Sequence, residues 1–111
     1  MIESIILNHL LSVLSVPVYM EVPETPEKKF VVVEKTGSGV KNKIHSAMLV
    51  VQSYAPTLFT AAELNEAVKA AMETADELDE ICSVKLNTDY NFTDTSTKRY
   101  RYQAVYDIVH Y

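Results

Sequence analysis

Residues 30–54 read FVVVEKTGSGVKNKIHSAMLVVQSY and contain both glycines of the 111-residue chain. The apolar, β-branched start of this stretch predicts a strand over residues 30–36 that is buried on both faces. A second strand is predicted over residues 43–54, and Pro56 closes it. Gly37 and Gly39 then lie between two strands, where we expect them to supply positive φ angles for the connection.

A glycine-rich loop can also bind phosphate, which is the alternative interpretation of Gly37-Ser38-Gly39. A phosphate loop of the Walker type needs a strand, the pattern GxxxxGK[ST], and then a helix whose N-terminus faces the anion. Here GSGVKNK is followed by a strand pattern instead of a helix. A dinucleotide-binding fingerprint fails for the same reason, so the sequence favours a strand connection that displays lysines.

Two amphipathic helices flank this region in the sequence. Apolar residues at three- and four-residue spacing predict a first helix over residues 2–15, followed by a short strand over residues 17–22. The second helix is predicted over residues 61–78, with Thr60 and Glu63 forming a capping box. Phe59 and Leu64 are placed for a hydrophobic staple across the start of that helix.

Two more strands complete the predicted fold. Strict alternation over residues 82–92 predicts a strand with one apolar face, on which Cys82 would be a small core residue. Residues 98–110 predict a long final strand whose tyrosines lie on the face opposite Arg99 and Arg101, with the rings buried in the core or in an interface. The fold class is therefore α+β, a single domain over residues 1–111 with the order α-β-β-β-α-β-β. The sheet is expected to be mostly antiparallel, with both helices packed on one face.

Composition limits the kinds of chemistry that this chain can perform. Cys82 is the only cysteine, so no intrachain disulfide can form. The three histidines are scattered, and His9 on the apolar stripe of the first helix is interpreted as a packed residue with one hydrogen-bond partner. No GxSxG elbow is present. We therefore expect no catalytic residue, no metal and no cofactor. The apolar runs are too short to span a membrane, and the N-terminus resembles a signal peptide poorly because it has Glu3 and no basic region.

Charge is distributed unevenly along the chain. The formal net charge is −5, which argues against general nucleic-acid binding. Residues 28–43 nevertheless carry five lysines and one glutamate, a net +4, whereas residues 63–80 carry seven acids and one lysine, a net −6. Four of those acids fall in the predicted last turn of the second helix, where the helix dipole disfavours them. Local helix stability does not explain that placement.

Several ordered features together resemble the tail-terminator, or tail-completion, proteins of long-tailed bacteriophages. These are IILNHLLSVLSVPVY near the N-terminus, then VPETPEKKFVVVEKTGSG, then SAMLVVQSYAPTLFTAAELNEAV, then RYRYQAVYDIVHY. The resemblance spans nearly the whole chain. FVVVEKTGSG followed by VVQSYAPT and AAELNEAV carries most of it.

The resemblance implies a small α+β subunit that forms a hexameric ring on the end of the tail tube. Such a ring stops tube polymerisation and offers a surface to the head connector. The implied partners are further copies of the chain, the tail tube protein, the head–tail connector protein and DNA that passes through with weak contacts. The implied location is the virion tail, assembled in the host cytoplasm, without a membrane and without catalysis.

Charge and position select the candidate residues for these contacts. A ring is built from contacts between two different faces of the subunit, and faces of opposite sign suit them. The candidate subunit interface consists of Lys35, Lys41, Lys43, Glu73, Asp76, Glu77, Asp79 and Glu80. The candidate lumen or partner contacts are Gly37, Ser38, Gly39, Lys98, Arg99 and Arg101. Solvated charges without an assembly role remain an alternative.

Two other functions stay open at the level of sequence. The first is another head–tail connector or a minor capsid component of similar size. The second, from a different class, is a small oligomeric enzyme with a site at the subunit interface, which would need convergent polar residues in a pocket.

Overall fold

The computed structural model describes residues 1–94, 96 and 99–111. Its helices are α1 (Ile2–Val13) and α2 (Leu58–Met72), with a 3₁₀ turn at Ala75–Glu77. The strands are β1 (Val18–Tyr19), β2 (Phe30–Lys41), β3 (Ile44–Ala55), β4 (Ile81–Asn91) and β5 (Tyr100–His110). They form one sheet in the order β1-β2-β3-β5-β4. The predicted α+β fold is confirmed, with the helices and strands in roughly the predicted order.

Strand direction follows the predicted pattern except at β1. The pairs β2–β3, β3–β5 and β5–β4 are antiparallel, whereas β1 runs parallel to β2. β1 is also shorter than the predicted strand over residues 17–22, because it pairs only at Val18 and Tyr19. Pro23 has no N–H group and cannot extend a ladder, so the chain leaves the sheet before it.

The two glycines lie inside β2, and the prediction that they form the strand connection is wrong. The connection is a two-residue turn at Asn42 and Lys43, whose φ angles are 52° and 65°. Positive φ at both central residues is typical of the hairpin turn that matches the twist of its strands. Neither glycine has a positive φ. A bulge interrupts β2 between Lys35 and Gly37. Pairing with β3 resumes after the bulge and continues to Lys41.

Helix α2 begins three residues earlier than predicted, and the predicted capping box is wrong in its residues. Thr57 is the N-cap, and its hydroxyl accepts from the Thr60 N–H at 3.1 Å. The Thr60 hydroxyl accepts from the Thr57 N–H at 3.2 Å, so Thr60 takes the return position and Glu63 has no part in the box. Phe59 is 72% exposed, which contradicts the predicted staple. The two threonines form a TxxT pattern, in which one threonine hydroxyl serves at the N-cap and the other serves three residues later.

Bulges in β4 overturn the predicted single apolar face of that strand. One bulge lies between Ile81 and Ser83, and a second lies between Leu86 and Thr88. Each adds a residue and reverses which side the following residues face. Cys82 is consequently exposed instead of being a core residue. Leu86 pairs with Tyr106 beneath the helices, whereas Tyr90 pairs with Gln103 on the opposite face.

The main core lies between the sheet and the two helices, and we call this face of the sheet the helix side. Helix α1 contributes Ile6 and Leu10, and α2 contributes Val68 and Met72, all of them buried. The strands contribute Val31, Val33, Leu49, Val51, Ala104, Tyr106 and Ile108. The opposite face, the open side, carries a small cluster in which the rings of Phe30 and Tyr54 stack at 4.5 Å. Both helices therefore pack on one face, as predicted.

Candidate functional site

The lysines of the β2–β3 turn lie at one end of the sheet. Lys41 and Lys43 are exposed, and Asn42 between them completes the turn. Lys35 is separated from them, because it lies on the helix side of β2 opposite Leu49. Its Nζ is 3.9 Å from a carboxylate oxygen of Glu3 on α1. The turn lysines are therefore free to meet a partner, whereas Lys35 faces an acid of its own chain.

The acids that we name the acidic segment follow helix α2. They are Glu73, Asp76, Glu77, Asp79 and Glu80, and all are exposed. Helix α2 ends at Met72, and only Glu73 occupies its C-cap. The prediction that four acids lie in the last turn of α2 is therefore wrong, because all four follow the helix in the 3₁₀ turn and the loop before β4. The dipole of α2 acts only within its last turn and does not oppose them.

The turn lysines and the acidic segment lie at the same end of the molecule but at opposite edges of the sheet. Ile81, the first residue of β4, pairs with His110 of β5, and His110 pairs with His45 beside the turn. The backbone N–H of Tyr111 donates to the carbonyl of Glu80 at 3.0 Å, which fixes the acidic segment at this end. Three strand spacings of about 4.8 Å separate β2 from β4, so the two charged groups are roughly 14 Å apart across the sheet.

Both edges of the sheet leave backbone groups without a neighbouring strand. β4 is the last strand on one side, and β1 pairs with only Val31 and Val32 of β2 on the other. Within the described residues, β2 beyond Val33 is therefore an edge. Because three antiparallel pairings separate them, β2 and β4 run in opposite directions. Unpaired strand edges are sites at which another chain can add.

A polar network that sequence reasoning missed joins α2 to β4. The Asn65 amide donates to a carboxylate oxygen of Asp89 at 2.8 Å, and the Lys69 ammonium donates to the same oxygen at 3.1 Å. Lys69 lowers the pKa of Asp89, helped by Asn65. Glu66 at 3.0 Å and Asp89 raise the pKa of Lys69. Only the spacing of Glu66 and Lys69 was visible in the sequence, since the partner on β4 is 20 residues away.

A groove opens beside this network, between α2 and the helix side of β4. Its volume is about 340 Å³. Its lining consists of Glu66, Lys69, Ala70, Met72, Glu73, Val84, Leu86 and Tyr106. Burial raises the pKa of the Tyr106 hydroxyl, which keeps this group neutral in the floor. The groove is apolar at its base and charged at its rim.

The residues proposed for a lumen or partner contact do not form one surface. Gly39 pairs with Ser46 near the turn, whereas Arg101 pairs with Tyr54 near the other end of β3. Ser46 and Tyr54 are eight positions apart, which at about 3.4 Å per residue is roughly 27 Å. Ser38 lies with the glycines, Arg99 lies near Arg101 in a bridge to Asp94, and Lys98 falls outside the described residues.

Arg101 is held by groups on the open side of the sheet. Its guanidinium carbon is 4.4 Å from the ring centroid of Phe92 and 5.7 Å from that of Tyr54. Its Nε donates to the carbonyl of Phe92 at 2.7 Å, and a terminal nitrogen donates to the Tyr54 hydroxyl at 2.8 Å. This arginine is organised by its own chain, which limits its freedom to follow a phosphate backbone.

The histidines are placed in two separate regions. His9 is half-buried between the helices, where its Nε2 donates to the carbonyl of Ala71 at 2.9 Å and lies 3.0 Å from the Thr74 hydroxyl. His45 and His110 stack at 5.4 Å. Among the residues that the structure describes, no three His, Cys, Asp or Glu side chains are grouped so that they could hold a metal ion. In the same residues, no helix is long and apolar enough to cross a membrane.

Comparison with known proteins adds no assignment to this geometry. No family model matches the chain. No curated protein matches it either.

Proposed function

We propose that this protein is a structural subunit that assembles head to tail into a ring and acts as the tail terminator of a long-tailed bacteriophage. The observation that carries the proposal is the pair of sheet edges, which are free over most of their length, antiparallel to each other, and of opposite charge at one end. The sequence resemblance to tail terminators supplies the biological role.

The geometry of the edges favours a head-to-tail assembly over a two-fold dimer. Copies that stand side by side in the same orientation bring β4 of one copy next to β2 of the following copy, in antiparallel directions. The same arrangement brings the turn lysines of one copy to the acidic segment of the next, because both lie at the same end. Contacts between two different surfaces close into a ring where the rotation between neighbouring copies closes, and otherwise they build an open filament. The charges set orientation and association rate more than affinity.

In this proposal the ring sits on the last ring of the tail tube and presents its other face to the head–tail connector. DNA passes through the centre during packaging and ejection. The net charge of −5 suits a channel that does not retain DNA, although Arg99 can make brief phosphate contacts. The subunit works in the virion tail after assembly in the host cytoplasm, and it needs no cofactor.

Negative-stain electron microscopy of the purified protein tests the ring. We expect six-fold rings with a central hole, and sedimentation of the same sample should give the mass of a hexamer. A monomer at all concentrations up to the millimolar range would refute the ring. A globular oligomer without a hole would favour an enzyme with an interface site.

Tube polymerisation separates a terminator from another connector component. The tail tube protein of the same phage is allowed to polymerise with and without the purified rings, and tube lengths are measured. We expect shorter tubes that carry one ring at an end. Rings that leave tube length unchanged but bind the head connector would assign the protein to the connector instead.

A further inference from the structure

The groove between α2 and β4 has an apolar base and opens at the β4 edge of the subunit. Leu86 is 44% exposed at this edge, and Val84 and Met72 lie beside it. Helix α2 lies mainly over β3 and β5, so it covers the helix side of β4 only in part and leaves Leu86 exposed. Glu66 and Glu73 stand on the rim, and Lys69 is engaged by Glu66 and Asp89. The groove therefore has an apolar base and an acidic margin that extends into the acidic segment.

The opposite edge of the same subunit carries a matching feature. Val40, next to the turn, is 66% exposed. It pairs with His45 and therefore lies on the helix side of the sheet. Lys41 and Lys43 follow it in the chain. Ile44 is also exposed, at 45%, but it pairs with Lys41 on the open side.

We propose that Val40 of one copy docks into the α2–β4 groove of the next copy and contacts Leu86 and Val84. This inference rests on the proposed ring. Directly opposite residues of antiparallel strands share a face, and Val40 and Val84 are both on the helix side. The lysines that follow Val40 then reach the acidic segment, beginning with Glu73. Apolar surface and charge are therefore complementary across the same contact.

The docking assigns different roles to the two kinds of residue. Exposed ion pairs contribute little affinity, so the lysines and acids select the partner edge and its orientation. Removal of Val40 and Leu86 from water supplies affinity, because burial of apolar surface is the main favourable term in association. The polar network of Asn65, Asp89 and Lys69 holds α2 against β4 and so fixes the width of the groove.

Alanine substitutions with matched controls test this docking. Val40→Ala and Leu86→Ala should each raise the protein concentration at which half the chains are assembled by about tenfold, measured by sedimentation. Ile44→Ala and Met48→Ala remove exposed apolar side chains from the open side and should leave that concentration within about twofold. Thermal unfolding of each variant, monitored by circular dichroism, identifies any loss of folding.

A pair of substitutions that compensate in size distinguishes the docking from a general loss of stability. Val40→Leu should restore part of the assembly lost in Leu86→Ala, because the larger side chain refills the space. If Val40→Ala assembles as well as Ile44→Ala, the docking is wrong while the ring stands. If the natural chain forms no ring, both the docking and the proposed function are wrong.

Discussion

The replacement Asp89→Asn removes one negative charge from the contact between α2 and β4 while keeping the shape of the side chain. Asp89 accepts from Asn65 at 2.8 Å and from Lys69 at 3.1 Å through the same oxygen. Asn65 is only 1% exposed, and its side-chain oxygen Oδ1 has no hydrogen-bond partner among the residues that the structure describes. The amide of this asparagine therefore depends on Asp89 for its hydrogen bonding.

The expected loss follows from the kind of bond that is changed. Hydrogen bonds to charged groups contribute about 1.5–3 kcal/mol each, and neutral ones about 1 kcal/mol. Asp89→Asn keeps an oxygen that can accept one hydrogen bond but loses the charge that Lys69 faces. We expect a decrease of about 1–2 kcal/mol in the free energy of unfolding at neutral pH. Asp89→Ala should cost about 1 kcal/mol more, because it leaves the Asn65 amide unpaired.

The pH dependence identifies the charge as the cause. Lys69 and Asn65 lower the pKa of Asp89 in the folded protein. A carboxyl whose folded pKa is lowered stabilises the protein above its unfolded pKa of about 3.9, and this stabilisation disappears as the pH falls through the folded pKa. The difference between the natural chain and Asp89→Asn should therefore be constant near neutral pH and shrink below about pH 4.

Urea unfolding followed by far-ultraviolet circular dichroism measures these differences. The experiment is repeated at several protein concentrations, because assembly stabilises the folded chain by mass action. Asp107→Asn is the control, since Asp107 accepts from Asn87 on the open side at 3.0 Å and should change stability by no more than about 0.5 kcal/mol. A difference for Asp89→Asn that is absent at neutral pH, or that persists unchanged in acid, would refute the reasoning.

Three further predictions concern the helix start, the ring contact and the lumen. Thr57→Ala should lower the free energy of unfolding by about 1 kcal/mol through loss of the N-cap, and an unchanged urea midpoint would contradict the cap. Reversing Lys41 and Lys43 to Glu should slow or abolish ring formation at low salt, and adding Asp76→Lys and Glu77→Lys in the same chain should partly restore it. If the lysine reversals sediment as normal rings, these charges do not direct assembly. Duplex DNA should bind weakly in a mobility-shift assay and be released at moderate salt. Tight, salt-resistant binding would contradict a channel that does not retain DNA.

Periodicity in the sequence predicted the helices and most strands, but it could not locate irregular backbone. The alternation over residues 82–92 predicts a strand with one continuous apolar face, yet two bulges interrupt the strand. Bulges depend on pairing with β5, which residues near each position do not encode. The sequence predicts the turn at the glycines because glycine tolerates positive φ, but Asn42 and Lys43 adopt that conformation instead. β2 pairs with β3 at eleven residue positions, and this pairing extends β2 past the glycines.

The candidate surfaces show the same division between sequence and structure. Charge counting found the lysines and the acids, because composition alone reveals them. It could not separate Lys35, which faces Glu3, from the turn lysines, and it could not show that Arg101 lies far from Gly39. The α2–β4 groove was invisible, since its lining comes from three elements.

The sequence by itself determined the α+β class, the presence of two helices, the uneven charge and the absence of an intrachain disulfide, because these depend on local patterns and composition. The tertiary structure decided strand order, the parallel placement of β1, the side that each residue of β4 faces, and the placement of the two charged groups at one end of the sheet but at opposite edges. Those features arise from pairings between residues that are far apart in the chain. A strand has a side-chain period of two, so one extra residue is enough to exchange its buried and exposed faces.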